Sequence, residues 1–382
     1  MIKKLAIFLF LLLLFYLFIK DKSFEKDTIK IGTSLPSSGI IKAWGNSVIA
    51  GANSYFNYAN ENDLIKDKKI DFIIYDDKYE PDLTADNLKK LIYTDEIYAL
   101  FGIVGTPTVK NILPILNDEN IPLIAPFTGA SFLRLQKKTN YINFRSSYEE
   151  EIESLVEYLN KKRKFNKFAV FYQNDDYGEE GYVSLLESLK KRDLKLVAEG
   201  SYKRNTLSIT HAFHELKGAK PEVVVMIGAY QANALLIKKA KKSINFKDTI
   251  FCNISFGDAN AMIKELKALN IDTTNLLFSQ VVPNYLDKSI PVVLEYQEIM
   301  KKYYPNEAFG FISLEAFLAS KVLVSAISKI KGDITRAKLL KNLKQTPPNL
   351  LDGLSLKYKN NQLLNKTYLF RYENSTFVEV QK

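Results

Sequence analysis

The chain of 382 residues holds one cysteine, Cys252, two histidines, His211 and His214, and one tryptophan, Trp44. A single thiol forms no internal disulfide, so cysteine is silent on the redox compartment. With so few thiols and imidazoles, most nucleophilic mechanisms have little to work with. His211 and His214 stand one helical turn apart, a spacing that can grip a metal, but no third ligand lies near them in sequence and both are read as structural. Gly-x-Ser-x-Gly, a phosphate loop ending in Lys-Ser/Thr and a dinucleotide glycine fingerprint are all missing. There is also no block of five or six like charges: 53 Lys+Arg against 43 Asp+Glu spread a net +10 along the whole chain. The densest basic clusters, Lys161-Lys162-Arg163-Lys164 and Lys238-Lys239-Ala240-Lys241-Lys242, carry no interleaved aromatics. They read as solvated helix faces, and no nucleic-acid partner is expected.

What is present is apolar substance. Hydrophobic residues make up 47% and aromatics 12%, enough over this length for more than one core. Met1 to Lys4 brings two lysines, and Leu5 to Ile19 then runs without a charge up to Lys20-Asp21-Lys22. As a helix that run reaches about 22 Å, short of the ~30 Å hydrocarbon core, which favours a secretory signal. Only Ser23 is small at the exit, so residues 1–23 are expected to be either a signal peptide or an uncleaved anchor, with 5–19 in contact with the membrane. No cysteine follows the run, which excludes a lipoprotein anchor.

From Thr28 onward short β-rich runs alternate with longer amphipathic ones, the pattern of a parallel sheet covered by helices. Strands are expected at 29–33, 70–75, 98–101 and 123–125, with helices near 43–62, 82–94 and 107–119. The series restarts with strands at 168–172, 196–199, 223–227 and 250–252 and helices near 179–192, 208–217 and 230–242. Two such series imply two similar α/β lobes. The last third reads as a strand at 276–278, helices at 291–303, 313–330 and 335–344, and a closing hairpin. In that hairpin 355–358 and 366–371 flank Lys359-Asn360-Asn361, and a second turn at Glu373-Asn374-Ser375 leads to 377–380. No low-complexity linker separates the lobes, so short crossings must join them.

Ligands of open parallel sheets sit at the carboxyl ends of the strands, so the strand-to-helix junctions are the candidate site. Val104-Gly105-Thr106-Pro107-Thr108 offers Thr106 as an N-cap and Pro107 as first helical residue. Free N–H groups there, with the Thr106 and Thr108 hydroxyls, suit a carboxylate or another strongly polar group. Phe127-Thr128-Gly129 follows the next strand, and Gly129 lets the backbone come close. Trp44 lies in the long junction after the first strand and is a candidate apolar wall. Tyr177 and Tyr230 take the equivalent positions in the second series. Asp76-Asp77 ends a strand and reads as a capping loop.

Together these junctions resemble the branched-chain amino acid-binding (Leu/Ile/Val-binding protein-like) family of type I periplasmic binding proteins, the substrate-binding components of ABC transporters. The resemblance rests on Ile31-Gly32-Thr33-Ser34-Leu35-Pro36 with Ser38-Gly39, Asp76-Asp77 with Pro81, and Pro122 to Ala130 followed by Leu133-Arg134. It continues in Phe144-Arg145 with Glu151, Asp176-Tyr177-Gly178 and Asp352-Gly353-Leu354. It implies two Rossmann-like lobes joined by a three-crossing hinge, with residues 28–144 and 279–334 in one lobe and 145–278 and 335–382 in the other. It further implies that Thr106 and Thr128-Gly129 hold a ligand carboxylate, that Trp44 matches a first-loop aromatic, and that Tyr177 and Tyr230 close over the ligand. Amino-acid binders place an acidic residue after the fourth strand of the second lobe; here Asp258 either fills that role or caps the helix that follows.

The expected function is capture of a small polar solute, an amino acid or a related amide or aromatic compound, and its delivery to an ABC permease. No cofactor, no metal and no catalysis are expected. The alternatives are a receptor feeding a membrane histidine kinase or chemoreceptor and, from another class, a hydrolase using Asp76 or Asp258.

Overall fold

A computed structural model describes residues 27–135 and 139–380; the segment 1–23, with its apolar run 5–19, lies outside the described residues. The chain first lays down β1 (Asp27–Leu35), α1 (Lys42–Glu61), β2 (Lys68–Asp76), α2 (Pro81–Tyr93), β3 (Ala99–Phe101), α3 (Thr106–Asp118), β4 (Leu123–Ile124) and β5 (Tyr141–Ile142). The five strands form one wholly parallel sheet in the order β2-β1-β3-β4-β5. A second series follows: α4 (Tyr148–Glu157), β6 (Phe168–Gln173), α5 (Asp176–Lys190), β7 (Leu196–Tyr202), α6 (Thr210–Ala219), β8 (Val223–Ile227), α7 (Tyr230–Ala240), β9 (Ile250–Asn253), α8 (Ala259–Ala268) and β10 (Leu276–Gln280). Every residue of β8 is buried, as a central parallel strand covered on both faces must be.

The chain then returns to the first lobe with α9 (Pro291–Tyr303), α10 (Phe311–Ser328) and α11 (Arg336–Lys344). By length and mean hydropathy α10 is apolar enough to cross a membrane, but it is a core helix, 83% buried. It packs along α1 so closely that a Cβ on Gly51 would lie 2.1 Å from the Ser313 carbonyl oxygen. The last strands, β11 (Tyr368–Glu373) and β12 (Thr376–Glu379), run antiparallel and complete a second sheet of order β12-β11-β10-β9-β8-β6-β7.

The chain passes between the lobes three times, near 143–147, 281–290 and 345–367. The first and third crossings run side by side, with Asn143 N–H on Asn361 O at 2.7 Å and Leu364 N–H on Phe144 O at 2.8 Å. Three details differ from the sequence reading. Helix α11 packs on the first lobe, where the Arg336 guanidinium donates to the carbonyls of Ile97, Tyr98 and Glu119, so the expected boundary at 335 moves past it. Residues 279 and 280 stay with the second sheet as the end of β10. Residues 355–358 form no strand; only the hairpin around Asn374-Ser375 is laddered, because the earlier turn closes on the single bridge Lys359–Gln362.

Beside the crossings lies a buried polar cluster. Arg145 pairs with Glu315 of α10 at 3.0 Å and donates to the Ser255 hydroxyl at 2.8 Å. Glu151 of α4 accepts from Ser255 N–H at 2.8 Å, from its hydroxyl at 2.7 Å and from the Ser279 hydroxyl at 2.6 Å. Burial outweighs the attraction of Arg145 and pushes the Glu315 carboxyl up to about 7. The folded protein therefore holds this proton more tightly than the unfolded chain, and the group's contribution to stability falls as pH rises from about 4.5 to 7. Urea denaturation across pH 5 to 7.5 should show the parent losing stability relative to Glu315→Gln; a difference that is flat or rising contradicts the assignment.

Candidate functional site

At the end of β3 the chain turns through Gly105, whose φ of +103° only glycine adopts without strain. A Cβ there would also lie 2.2 Å from the Tyr79 ring. Gly105 is thus the N-cap of α3, and Thr106, expected as the cap, is the first helical residue. That shift leaves the Thr106 hydroxyl free of capping: it meets the Thr128 hydroxyl at 2.7 Å and Tyr148 OH at 3.5 Å. The Thr108 hydroxyl instead donates within its own turn, to the carbonyls of Val104 and Gly105. Gly129 allows Tyr148 to approach, since a Cβ would lie 2.5 Å from both its ring and its backbone nitrogen. Tyr148 itself is fixed by the capping box of Ser147 and Glu150 that starts α4.

From the second lobe, like Tyr148, come Tyr177 and Phe256. Asp175 caps α5 by accepting from Tyr177 N–H at 3.1 Å and Gly178 N–H at 3.3 Å, which sets the Tyr177 ring 5.4 Å from Tyr148. The Tyr177 side chain is fully buried, and its hydroxyl has no hydrogen-bond partner. Burial, reinforced by the neighbouring hydroxyls of Tyr148, Tyr202 and Tyr79, pushes its ionisation well above the ordinary phenol value. Phe256 lies in a short turn after β9 and touches three rings, Tyr177 at 4.5 Å, Trp44 at 4.9 Å and Tyr79 at 6.0 Å between centroids. Trp44 stacks on it, sends its indole N–H to the Phe256 carbonyl at 2.8 Å, and sets its edge against Phe127 at 5.6 Å. Gln173 bridges Tyr79 OH and Tyr202 OH at 3.4 and 3.2 Å.

Trp44, Thr106, Phe127, Thr128, Gly129 and Tyr177 therefore gather in one buried cluster between the lobes, joined by Tyr79, Tyr148, Gln173 and Phe256, which the sequence reading did not select. Tyr230 and Asp258 do not belong to it. They line a cavity of about 610 Å³ with Lys42, Ala43, Asn260 and Tyr285. Asp258 shows the capping role, accepting from Ala261 N–H at 3.0 Å at the start of α8, and burial pushes its carboxyl up to about 6. Asp76 likewise organises a loop, taking hydrogen bonds from the Ser37, Ser38 and Lys78 N–H groups and the Ser38 hydroxyl. Burial alone would raise its pKa, but those bonds hold it below the ordinary value. His211 and His214 lie exposed on α6, away from the cluster.

Further polar contacts join the two lobes around this cluster. Arg204 pairs with Glu80 at 3.0 Å, Asn205 donates to the same carboxylate at 2.6 Å, Ser131 N–H donates to Glu180 at 3.0 Å, and Lys110 pairs with Asp176. The side chains of the cluster are almost fully buried.

Two α/β lobes on three crossings, with hydroxyls and aromatic rings gathered between them, are the frame of a two-lobed binding protein. The chain matches the family described as periplasmic binding protein over residues 28–376 and belongs to it, as its resemblance implied. It is 22% identical over 316 residues to Leu/Ile/Val-binding protein homolog 7 of Brucella abortus (strain 2308), covering 80% of this chain and 78% of that one. A solved structure from Rhodopirellula baltica SH 1, described as a possible leucine/isoleucine/valine-binding protein, superposes with a TM-score of 0.88 at 30% identity, over 94% of this chain and 98% of that one. The isoleucine complex of the branched-chain amino acid transporter substrate-binding protein LivJ of Streptococcus pneumoniae shares the fold, with a TM-score of 0.77 at 18% identity over 93% and 100% of the two chains.

A buried hydroxyl without a partner costs roughly 1–3 kcal/mol. Tyr177→Phe should therefore raise the melting temperature of the ligand-free protein, read by differential scanning calorimetry. A fall would mean that the hydroxyl is already satisfied.

Proposed function

We propose that this chain is an extracytoplasmic solute-binding protein that closes on a small polar solute at the hydroxyl-bearing cluster between the lobes and delivers it to an ABC permease. The observation that carries the reading is the Tyr177 hydroxyl, buried without a partner beside Tyr148 on the second lobe, with the Thr106 and Thr128 hydroxyls coming from the first. A ligand bound there gains contacts from both lobes only in the closed form, which is the differential affinity that closure requires. The names of the relatives support an amino acid or a related compound as solute. The family supports an extracytoplasmic site of action, with 5–19 as export signal or tether. Binding without turnover fits the acids nearby: Asp76, Asp175 and Asp258 all hold backbone N–H groups rather than facing the cluster as free acids or bases.

A thermal-shift screen of amino acids, amides, ureas and aromatic and aliphatic acids tests this, because a ligand specific for the folded state raises the melting temperature once its concentration exceeds Kd. A hit should lose at least about tenfold in affinity in Thr106→Ala and in Tyr177→Phe, since each removes a hydroxyl facing the solute. It should change little in Tyr230→Ala. A hit unaffected by the first two variants but lost in Tyr230→Ala moves the site to the neighbouring cavity, and loss of uptake in a deletion strain separates delivery from mere binding.

A further inference from the structure

We infer that Glu315 is a positioning residue for the contact between the lobes: a proton on its carboxyl lets Arg145 hold the Ser255-Phe256 turn against Trp44, and loss of that proton loosens the contact. The joint is the same whichever solute the protein takes. Two buried carboxyls, Glu151 and Glu315, lie about one buried guanidinium, that of Arg145. They come from three parts of the chain: Glu315 from α10 in the first lobe, Arg145 from the first crossing and Glu151 from α4 in the second lobe. With both carboxyls ionised the three groups carry a net negative charge away from solvent, and a buried unpaired charge is strongly disfavoured. One proton removes it.

The hydrogen bonds decide which carboxyl takes that proton. Glu151 accepts from Ser255 N–H and from the hydroxyls of Ser255 and Ser279. Among the described residues Glu315 has the Arg145 guanidinium alone, Nε at 3.0 Å and Nη2 at 3.1 Å. Burial accordingly pushes its carboxyl up to about 7. The charged groups acting on it are Arg145 and Glu151, and Tyr148 of α4 faces the same guanidinium. From α1 comes the uncharged Trp44 ring, 5.8 Å from the guanidinium, while Glu295 of α9 is paired with Lys321 farther along α10. A protonated Glu315 leaves the guanidinium to the Ser255 hydroxyl, which accepts from it at 2.8 Å, and the next residue in the chain is Phe256. An ionised Glu315 relieves its burial by drawing Arg145 toward α10 or by admitting water between the lobes. Either loosens the turn whose Phe256 carbonyl takes the Trp44 indole N–H. The lobe contact is therefore favoured in full below about 4.5, the ordinary value of this carboxyl, and the favour fades as pH rises through about 7.

Acrylamide quenching of the tryptophan emission of the ligand-free protein, from pH 5.5 to 8.5, tests the inference, because Trp44 is the sole tryptophan and is 1% exposed. The quenching constant should rise at least about threefold as pH passes 7 and stay low and flat in Glu315→Gln, which is uncharged at every pH. Asp77→Asn and Asp258→Asn, which remove the two other carboxyls raised to about 6, should keep the parent's rise. Independently of how the variants fold, carboxyl NMR of the parent with isotope-labelled glutamate should show one glutamate titrating near 7, in step with the quenching. Quenching that is flat in the parent, or that rises equally in Glu315→Gln, overturns the inference, as does the lack of such a glutamate. An emission shift with pH at constant quenching also overturns it, since a charge then changes near the indole without moving the contact. None of these outcomes bears on the solute site, which the Thr106 and Tyr177 variants judge.

Discussion

The indole of Trp44 crosses from the first lobe to lie on the ring of Phe256 in the second and gives its N–H to that residue's carbonyl. Much of the site depends on this contact. It joins the two lobes and buries two large rings against each other. Its geometry is set locally by α1, whose Gly45 packs against the preceding loop so tightly that a Cβ would lie 2.1 Å from the Pro36 carbonyl oxygen. An aromatic pair contributes about 0.5–1.5 kcal/mol beyond its area. That is a modest contribution to holding the two lobes together.

Behind the contact, the Arg145 guanidinium lies 5.8 Å from the indole ring and links Glu315 of the first lobe to Ser255 of the second. Burying this pair adds little net stability, because desolvation offsets most of the attraction. Its effect is positional. Ser255 is held from two sides, by Arg145 and by Glu151, and the next residue in the chain is Phe256. The polar cluster at the crossings thereby aims the ring that meets Trp44. The rim pairs, such as Lys110 with Asp176 and Arg204 with Glu80, are partly exposed, and each contributes at most about 1 kcal/mol.

The repeated β-then-helix rhythm was legible because it depends on local pattern: β8 reads as an unbroken apolar run, and α5 starts at the Asp175 cap. Helix α4 was missed, although Ser147-Tyr148-Glu149-Glu150 is a capping-box signature in plain view. Finding it would have put Tyr148 next to Gly129. The lobe of α11 was not legible, since Arg336 is held by carbonyls more than 200 positions away in sequence. The junction rule selected Trp44, Thr106, Thr128 and Tyr177, which the structure gathers between the lobes, because strand ends face the cleft whatever their residues. It had no means of separating Tyr230 and Asp258 from that group, or of finding Phe256, whose role follows only from contacts between distant parts of the chain. Thr106 was found for the wrong local reason: Gly105 caps the helix, and this is what leaves the threonine hydroxyl to the cluster.

The central claim is that solute binding closes the lobes and brings Trp44 onto Phe256. Trp44 is the sole tryptophan, so the tryptophan emission of the purified protein comes from this residue alone. A saturating solute, chosen as one that raises the melting temperature, should shift the emission to shorter wavelength as the indole leaves water, and Phe256→Ala should diminish the shift. Emission that stays unchanged while the solute binds would contradict the account.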